Sequence, residues 1–436
     1  MSIPELEEIK SAHCSCGKIH THAIDDIIIG SGAIKRIGES VGRYGSSAFV
    51  LSDMNTYKAA AKKVCELLDE KNIKYTSYTM NEENPEPDEK SVGSVMMHYD
   101  RSCDVIVAVG SGVINDIGKL LAVTVDKPYI IVASAPSMDG YASATSSMTR
   151  DGLKISLPTK CANVIIGDTD ILAAAPMRML VSGIGDMLAK YVSICEWRIS
   201  HIITGEYYCE GIAELVRFAL KRCAYNADGL MKRDPAAVEA VFEGLVIGGV
   251  AMTYAGLSRP ASGIEHYLSH IWDMRGVEFG TPVDLHGIQC AVGTLIAIKY
   301  YEKLKDICPN REKALAYAGE FDLAAWHERL REFLGKGAKS MIELDFTERK
   351  YDTTAHAKRL EVIIENWDAI LGIIDEELPN SAEFEKLLDT LGAPKTMGDI
   401  GIDESILPMT LATAKDIRDK YVLPRLMWDL GVMDEI

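Results

Sequence analysis

The sequence predicts an α/β chain of two domains: a parallel sheet flanked by helices over residues 1–172, then an all-helical domain over 173–436. Three observations carry this. Short apolar runs alternate with helix-periodic stretches from about residue 24 to 160. Glycines cluster at Gly110-Ser111-Gly112, between one such run and the helix after it. Beyond about Ala173 the strand signal fades and long helical segments take over. Strands that alternate with helices pair in parallel, because each crossover helix returns the chain to the same end of the sheet.

Taken in order, Ser47-Ala-Phe-Val-Leu-Ser52 is an apolar run suited to a buried strand, and Tyr57 to Asp69 follows with helical periodicity. Ile73 to Thr79 alternates like a strand. Asp88 to His98 reads as a helix, with Pro85 and Pro87 just ahead of it. Cys103 to Val109 is a second buried strand, the glycine turn follows, and Ile114 to Val123 resumes the helix. Tyr129-Ile-Ile-Val-Ala133 is the next strand, and Lys154 to Ile166 reads as a β-ribbon at the sheet's edge. In the second half, Gly229 to Asp234, Cys308 to Arg311 and Asp375 to Ser381 read as turns between helices.

Composition narrows the function. Hydrophobic residues at 47% and charged residues at 25% fit a globular enzyme. A formal charge of −18 argues against nucleic acid as a partner, whose binding needs cationic surface. The opening Met-Ser-Ile-Pro-Glu-Leu-Glu-Glu has neither a basic nor an apolar leader region, so no signal peptide is expected. No uninterrupted apolar run approaches the roughly 20 residues of a membrane span. Ten scattered cysteines fit a reduced, cytoplasmic setting.

The chemistry concentrates at Arg259-Pro-Ala-Ser-Gly-Ile-Glu-His266-Tyr-Leu-Ser-His270, followed by His286. Helical spacing puts His266 and His270 on one face. Asp186, in Gly185-Asp186-Met-Leu-Ala-Lys190, adds a carboxylate. Imidazole and carboxylate are the ligands of a catalytic divalent ion that keeps one position open. Singly, Asp186 would be an ordinary helix charge and His266 a satisfied core histidine; the combination points to metal.

At Gly110-Ser111-Gly112, glycine lets the backbone approach a pyrophosphate, and the next helix offers N–H groups and a favourable dipole. The pattern is not a P-loop, because Leu120 stands where a magnesium-binding Ser or Thr would follow Lys119. Nor is it a full dinucleotide fingerprint, since Asn115 or Asp116 occupies the third glycine's place. Asp53, just past an early strand, suits a ribose hydroxyl, or merely caps the next helix. The loop from Ser134 through Ser137, Asp139 and Ser143 leaves a strand end, where open α/β sheets bind ligands. Cys14-Ser-Cys16, with His13, His20 and His22 close by, is an accessory metal site, a redox pair or simple packing; structural zinc sites usually space their cysteines more widely.

Ala135 to Ser143, Gly183-Ile-Gly-Asp-Met-Leu-Ala-Lys190 and Ser258 to His266 together resemble the superfamily of glycerol dehydrogenases, dehydroquinate synthases and iron-type alcohol dehydrogenases. The resemblance runs from Asp53-Met-Asn-Thr-Tyr57 to Leu391-Gly-Ala-Pro394 and on through Tyr421 to Gly431. It implies a Rossmann-like domain followed by a helical one, as in dehydroquinate synthases, and a homodimer. It makes Asp186, His266 and His286 the ligands of one Zn²⁺ or Ni²⁺, with Fe²⁺ less favoured. Gly110, Ser111, Gly112, Asn115 and Asp116 match the pyrophosphate turn, Asp53 the ribose acid, and Ser134, Ser137 and Ser143 further cofactor positions.

Within the superfamily the chain looks like the bacterial branch that interconverts dihydroxyacetone phosphate and sn-glycerol 1-phosphate with NAD(H), or NADP(H). Asp53 leans towards NAD, because a carboxylate repels a 2′-phosphate. The resemblance implies catalytic roles for His270, Asp139 and Lys154. It assigns substrate contacts to Asp139, Lys119, Arg259 and His270, with Arg259 on the phosphate. Two rival readings are a polyol dehydrogenase acting on unphosphorylated glycerol, which Arg259 speaks against, and a silent nucleotide- and metal-binding protein.

Overall fold

The computed structural model describes residues 14–82 and 84–435. They fall into two compact units, residues 1–187 with 211–257, and residues 188–210 with 258–436. Strand signal does end near residue 172, since the last strand closes at Asp168. The compact division nevertheless differs from a cut at that point. The helix Pro235–Ala255 packs on the sheet unit, where Phe242 fills the space that a side chain at Gly167 would need.

The first unit holds strands β1 (Asp26–Gly30), β2 (Ser47–Asp53), β3 (Lys74–Met80), β4 (Val105–Gly110), β5 (Tyr129–Ala133), β6 (Thr145–Arg150), β7 (Leu153–Pro158) and β8 (Val164–Asp168). Its main helices are α1 (Lys62–Glu70), α2 (Glu89–His98), α3 (Gly112–Val125), α4 (Met177–Leu188) and α6 (Pro235–Ala255); α5 (Lys190–Thr204) belongs to the second unit. Six strands form one sheet in the order β1-β8-β5-β4-β2-β3, and every pairing is parallel. Val50, Val107, Ile130, Val132, Val164 and Ile166 pack with Ile37, Val41, Val64 and Leu68 in one core. Burying each such side chain contributes roughly 1.5–3 kcal/mol, which is why these strands are runs of β-branched residues.

Two elements depart from the sequence reading. Lys154 to Ile166 is not one edge ribbon: β6 and β7 form a separate antiparallel pair, while β8 is an interior strand between β1 and β5. The first strand, Asp26-Ile-Ile-Ile-Gly30, went unread. Helix α6 is also long and apolar enough to cross a membrane by length and composition, with a mean hydropathy of 1.6, although no such run was expected. Glu239 and Glu243 interrupt it, and 72% of its most apolar window is buried within the protein, as in a core helix.

The second unit is helical throughout its described residues. Helix α5 is joined there by α7 (Ile264–Phe279) and α8 (His286–Leu304). Gly293 lets α7 and α8 approach closely, because a Cβ there would lie 2.8 Å from the Glu265 carbonyl oxygen. That contact sets the faces carrying His266 and His286 beside each other.

Candidate functional site

In the sheet unit, β2 and β4 are neighbours whose chains leave in opposite directions, β2 outward to β3 and β4 the other way to β5. A crevice opens at the carboxyl ends of such a strand pair. Asp53 ends β2 and Gly110 ends β4, so this carboxylate and the glycine turn share one end of the sheet. A Cβ on Gly110 would lie 2.4 Å from Ile114 Cβ, so only glycine fits the turn. A Cβ on Gly112 would meet nothing nearer than Met138 at 3.7 Å. Asp53 also caps the following turn, its Oδ1 accepting the Asn55 and Thr56 N–H groups at 2.8 Å.

The loop after β5 is locked to this end. Ser134 N–H donates to Gly110 O at 3.0 Å, and the Ser111 and Ser137 hydroxyls pair. Ser143 pairs with the Thr145 hydroxyl at 3.0 Å. Helix α4 presses on the loop at Gly183, where a Cβ would fall 1.8 Å from the Pro136 carbonyl oxygen. That approach delivers Asp186, fully buried, to the Asp139 backbone: Asp139 N–H donates to Asp186 Oδ2 at 2.9 Å.

Three residues assigned to ligands turn inward instead. Asn115 is fully buried; its amide N–H₂ donates to Gly140 O at 3.0 Å and its oxygen accepts the Tyr129 hydroxyl at 3.0 Å. Lys119 is buried, with its ammonium on Gly140 O, Thr145 O and Asp116 Oδ1. Burial pushes the Asp116 carboxyl up, against the pull of Lys119. Helical periodicity explains the outcome, since residues 115 and 119 are one turn apart and share the face packed under the loop. Asn115 and Lys119 thereby hold the loop from beneath. Lys154 lies on β7, paired in register with Thr149 on the ribbon, and its charge acts on Asp116.

In the helical unit, His266 and His286 have ring centroids 5.0 Å apart, and His270 stacks on His286 at 5.8 Å and 26°. His266 Nδ1 donates to Glu265 Oε1 at 2.8 Å, because a carboxylate only accepts. Ser269 Oγ lies 3.1 Å from His286 Nδ1 and takes an N–H from Gln289 at 3.0 Å. A hydroxyl oxygen has two lone pairs, so it can accept from Nδ1 as well. With both Nδ1 atoms as donors each Nε2 carries the lone pair, that of His286 lying 3.6 Å from the Cys290 sulfur; this tautomer is the one that suits a metal. Cys290, one turn beyond His286, completes a group with His266 and His286 whose donor atoms lie within 4.8 Å of one another. Burial raises its thiol, but the two imidazoles outweigh burial and leave it below the usual range.

Behind His266 lies a buried acid pair. Glu196 accepts N–H groups from Ile264 at 2.8 Å and Leu423 at 2.7 Å; burial first, then nearby Glu265, pushes its carboxyl up to about 8. Lys420, held on Ser262 O at 2.7 Å, is pushed down to about 7 by burial and by Arg259 and Arg418.

Arg259 corrects the sequence reading most sharply. It is 1% exposed, and four of its five N–H donors are engaged: two on Glu206, at 2.9 and 2.7 Å, one on Ser200 Oγ and one on Tyr421 O. A guanidinium so committed is a strut of the helical unit and has no fork left for phosphate. Sequence reasoning missed Glu265, Ser269, Gln289 and Cys290. Helical spacing from the histidines was the signal that could have found Ser269, Gln289 and Cys290, and adjacency to His266 the one for Glu265.

Imidazoles anchored through their second nitrogens, in a buried setting, fit a divalent metal by donor chemistry. The glycine turn at a sheet switch point fits a dinucleotide.

Residues 28–176 match the family described as iron-containing alcohol dehydrogenase. The chain is similar to a protein of Halalkalibacterium halodurans named glycerol-1-phosphate dehydrogenase, NAD(P)+, at 27% identity over 95% of this chain and 94% of that one. It is similar to a Bacillus velezensis protein of the same name at 32% identity, over 70% of this chain and 81% of that one. Its fold is similar to the crystal structure of a probable glycerol dehydrogenase from Sinorhizobium meliloti, with TM-score 0.58 and 16% identity over 94% of this chain and 96% of that one.

Proposed function

We propose that this chain, which belongs to the glycerol-1-phosphate dehydrogenase family, is an NAD(P)-dependent oxidoreductase interconverting dihydroxyacetone phosphate and sn-glycerol 1-phosphate. The observation that carries the reading is the histidine pair of α7 and α8, with each Nδ1 within hydrogen-bond distance of a neighbour that can hold the ring. In this reading Asp186, His266 and His286 hold a divalent ion, zinc or nickel by the family resemblance, since two imidazoles and a carboxylate suit zinc, nickel and iron alike. When bound, the ion supplies Lewis-acid polarisation of the substrate's C2 oxygen and the nicotinamide supplies the hydride for C2.

The chain's own residues do the rest. Gly110, Ser111 and Gly112 admit the pyrophosphate to the N-terminus of α3, where N–H groups and helix dipole favour an anion. Asp53 takes a ribose hydroxyl with the carboxylate edge left by its cap, and Ser134, Ser137 and Ser143 frame the loop beside the cofactor. Asn115, Lys119 and Asp116 fix that loop from beneath. Glu265 and Ser269 keep His266 and His286 in the ligating tautomer. His270, half-buried beside His286, passes a proton to the C2 oxygen, and Asp139 orients the substrate. The reading includes a cytoplasmic homodimer, in keeping with the low cysteine commitment and the family resemblance.

The test is NADH oxidation with dihydroxyacetone phosphate against unphosphorylated dihydroxyacetone, with the product's configuration determined. Turnover of the phosphate to the sn-1 product supports the proposal. Turnover confined to the unphosphorylated ketone moves the chain to the polyol branch.

A further inference from the structure

The segment ahead of β1 carries chemistry that the dehydrogenase reading does not use. Gly17 N–H donates to Cys14 O at 2.9 Å, closing a turn with Gly17 at φ +77°, a conformation glycine adopts without strain. The turn gathers Cys14, Cys16 and His20, whose donor atoms lie within 4.8 Å of one another. Cys16 Sγ is 3.3 Å from His20 Nε2. On the far side of the ring, His20 Nδ1 is 3.2 Å from the Tyr254 carbonyl oxygen. A carbonyl only accepts, so Nδ1 carries the hydrogen and the neutral ring turns its Nε2 lone pair towards the sulfur. His20 is 2% exposed and tilted against the Tyr254 ring at 5.6 Å, at the carboxyl end of α6. His13, part of the same sequence cluster, lies outside the described residues.

Two thiols and a buried imidazole fixed through its other nitrogen make a donor set for a soft or borderline divalent ion. We propose that Cys14, Cys16 and His20 bind a zinc-type ion, distinct from the catalytic one, that clamps the segment ahead of β1 to the end of α6. Binding converts both thiols to thiolates and releases two protons to solvent. The one-residue spacing of the cysteines, which weighs against a zinc site in the sequence alone, is accommodated by the turn closed between Cys14 and Gly17, which brings both sulfurs within 4.8 Å of the His20 donor.

The test is alkylation of the intact wild-type protein by iodoacetamide, mapped cysteine by cysteine, with Zn²⁺ bound and after chelation. Cys14 and Cys16 should be protected with zinc and react at least about tenfold faster once it is removed. The Cys14→Ser/Cys16→Ser variant should bind one equivalent less zinc per chain and still turn over substrate after metal reloading. Equal alkylation rates with and without zinc would overturn the proposal. So would cysteines that stay unreactive until a reductant is added, because that marks a disulfide.

Discussion

Around Gly110 the sheet unit shapes its functional edge with backbone, whereas around His266 the helical unit does so with side chains. In the first, glycines allow packing so close that an added Cβ would fall 2.4 Å from Ile114 Cβ at Gly110 and 1.8 Å from the Pro136 carbonyl oxygen at Gly183. In the second, a hydrogen bond from His266 to Glu265 and contacts of His286 with Ser269, itself bonded by Gln289, fix two imidazoles. A cofactor with many atoms is bound by a surface, so shape suffices. A metal ion is bound by a few lone pairs, so each ring must be aimed. The comparison teaches where damage should be shared and where it should be sharp.

The sharpest effect is expected at His266, a proposed ligand. His266→Ala should lose bound metal and lower turnover by about three orders of magnitude, the size expected when several kcal/mol of charge stabilisation disappear. Metal analysis beside steady-state kinetics checks this; retention of both would remove His266 from the ligand set. Glu265→Gln keeps the shape but weakens the acceptor for His266 Nδ1. It should cost about 10–100-fold in metal affinity with little change in the Km for NADH. An equal loss of NADH binding would mean that the aiming argument is wrong.

Arg259→Ala should act on stability instead. It strips the ion-pair partner from Glu206 and two further acceptors, at about 3 kcal/mol measured by denaturant unfolding. Km values for phosphorylated and unphosphorylated substrate should keep their ratio; a selective loss of the phosphorylated one would restore Arg259 to the phosphate. The smallest effect concerns pH. Glu196 is raised from an ordinary 4.5 to about 8 on folding, so the folded state holds its proton more tightly. Its contribution to stability therefore falls as pH rises from about 4.5 through 8, then levels off. Glu196→Gln should flatten that part of the stability profile, read as melting temperature against pH.

Much of this was legible in the sequence, for physical reasons that differ by region. Strands β2, β4 and β5 are unbroken apolar runs because both faces of a parallel sheet are buried. β8 was hidden because the ribbon and the strand follow one another within Lys154 to Ile166, and pairing partners leave no mark on local pattern. His266 and His270 were legible because helical spacing carries directly into geometry, and His286, on the next helix, was legible through the family resemblance. Arg259 was misread because its partners Glu206, Ser200 and Tyr421 are remote in sequence. Asn115 and Lys119 are offered by the sequence as ligand contacts, whereas their side chains bond the carbonyls of Gly140 and Thr145. Which face of a helix turns inward depends on what packs there, and the loop from Ala135 to Ser143 supplies that packing.

The most direct test is turnover of dihydroxyacetone phosphate with NADH by protein stripped of metal and then reloaded with Zn²⁺ or Ni²⁺. Activity should vanish on stripping and return on reloading in the wild type, and should not return in His286→Ala. Stripped protein that reduces the substrate at the full rate, or a His286→Ala variant rescued by reloading, would contradict the assignment.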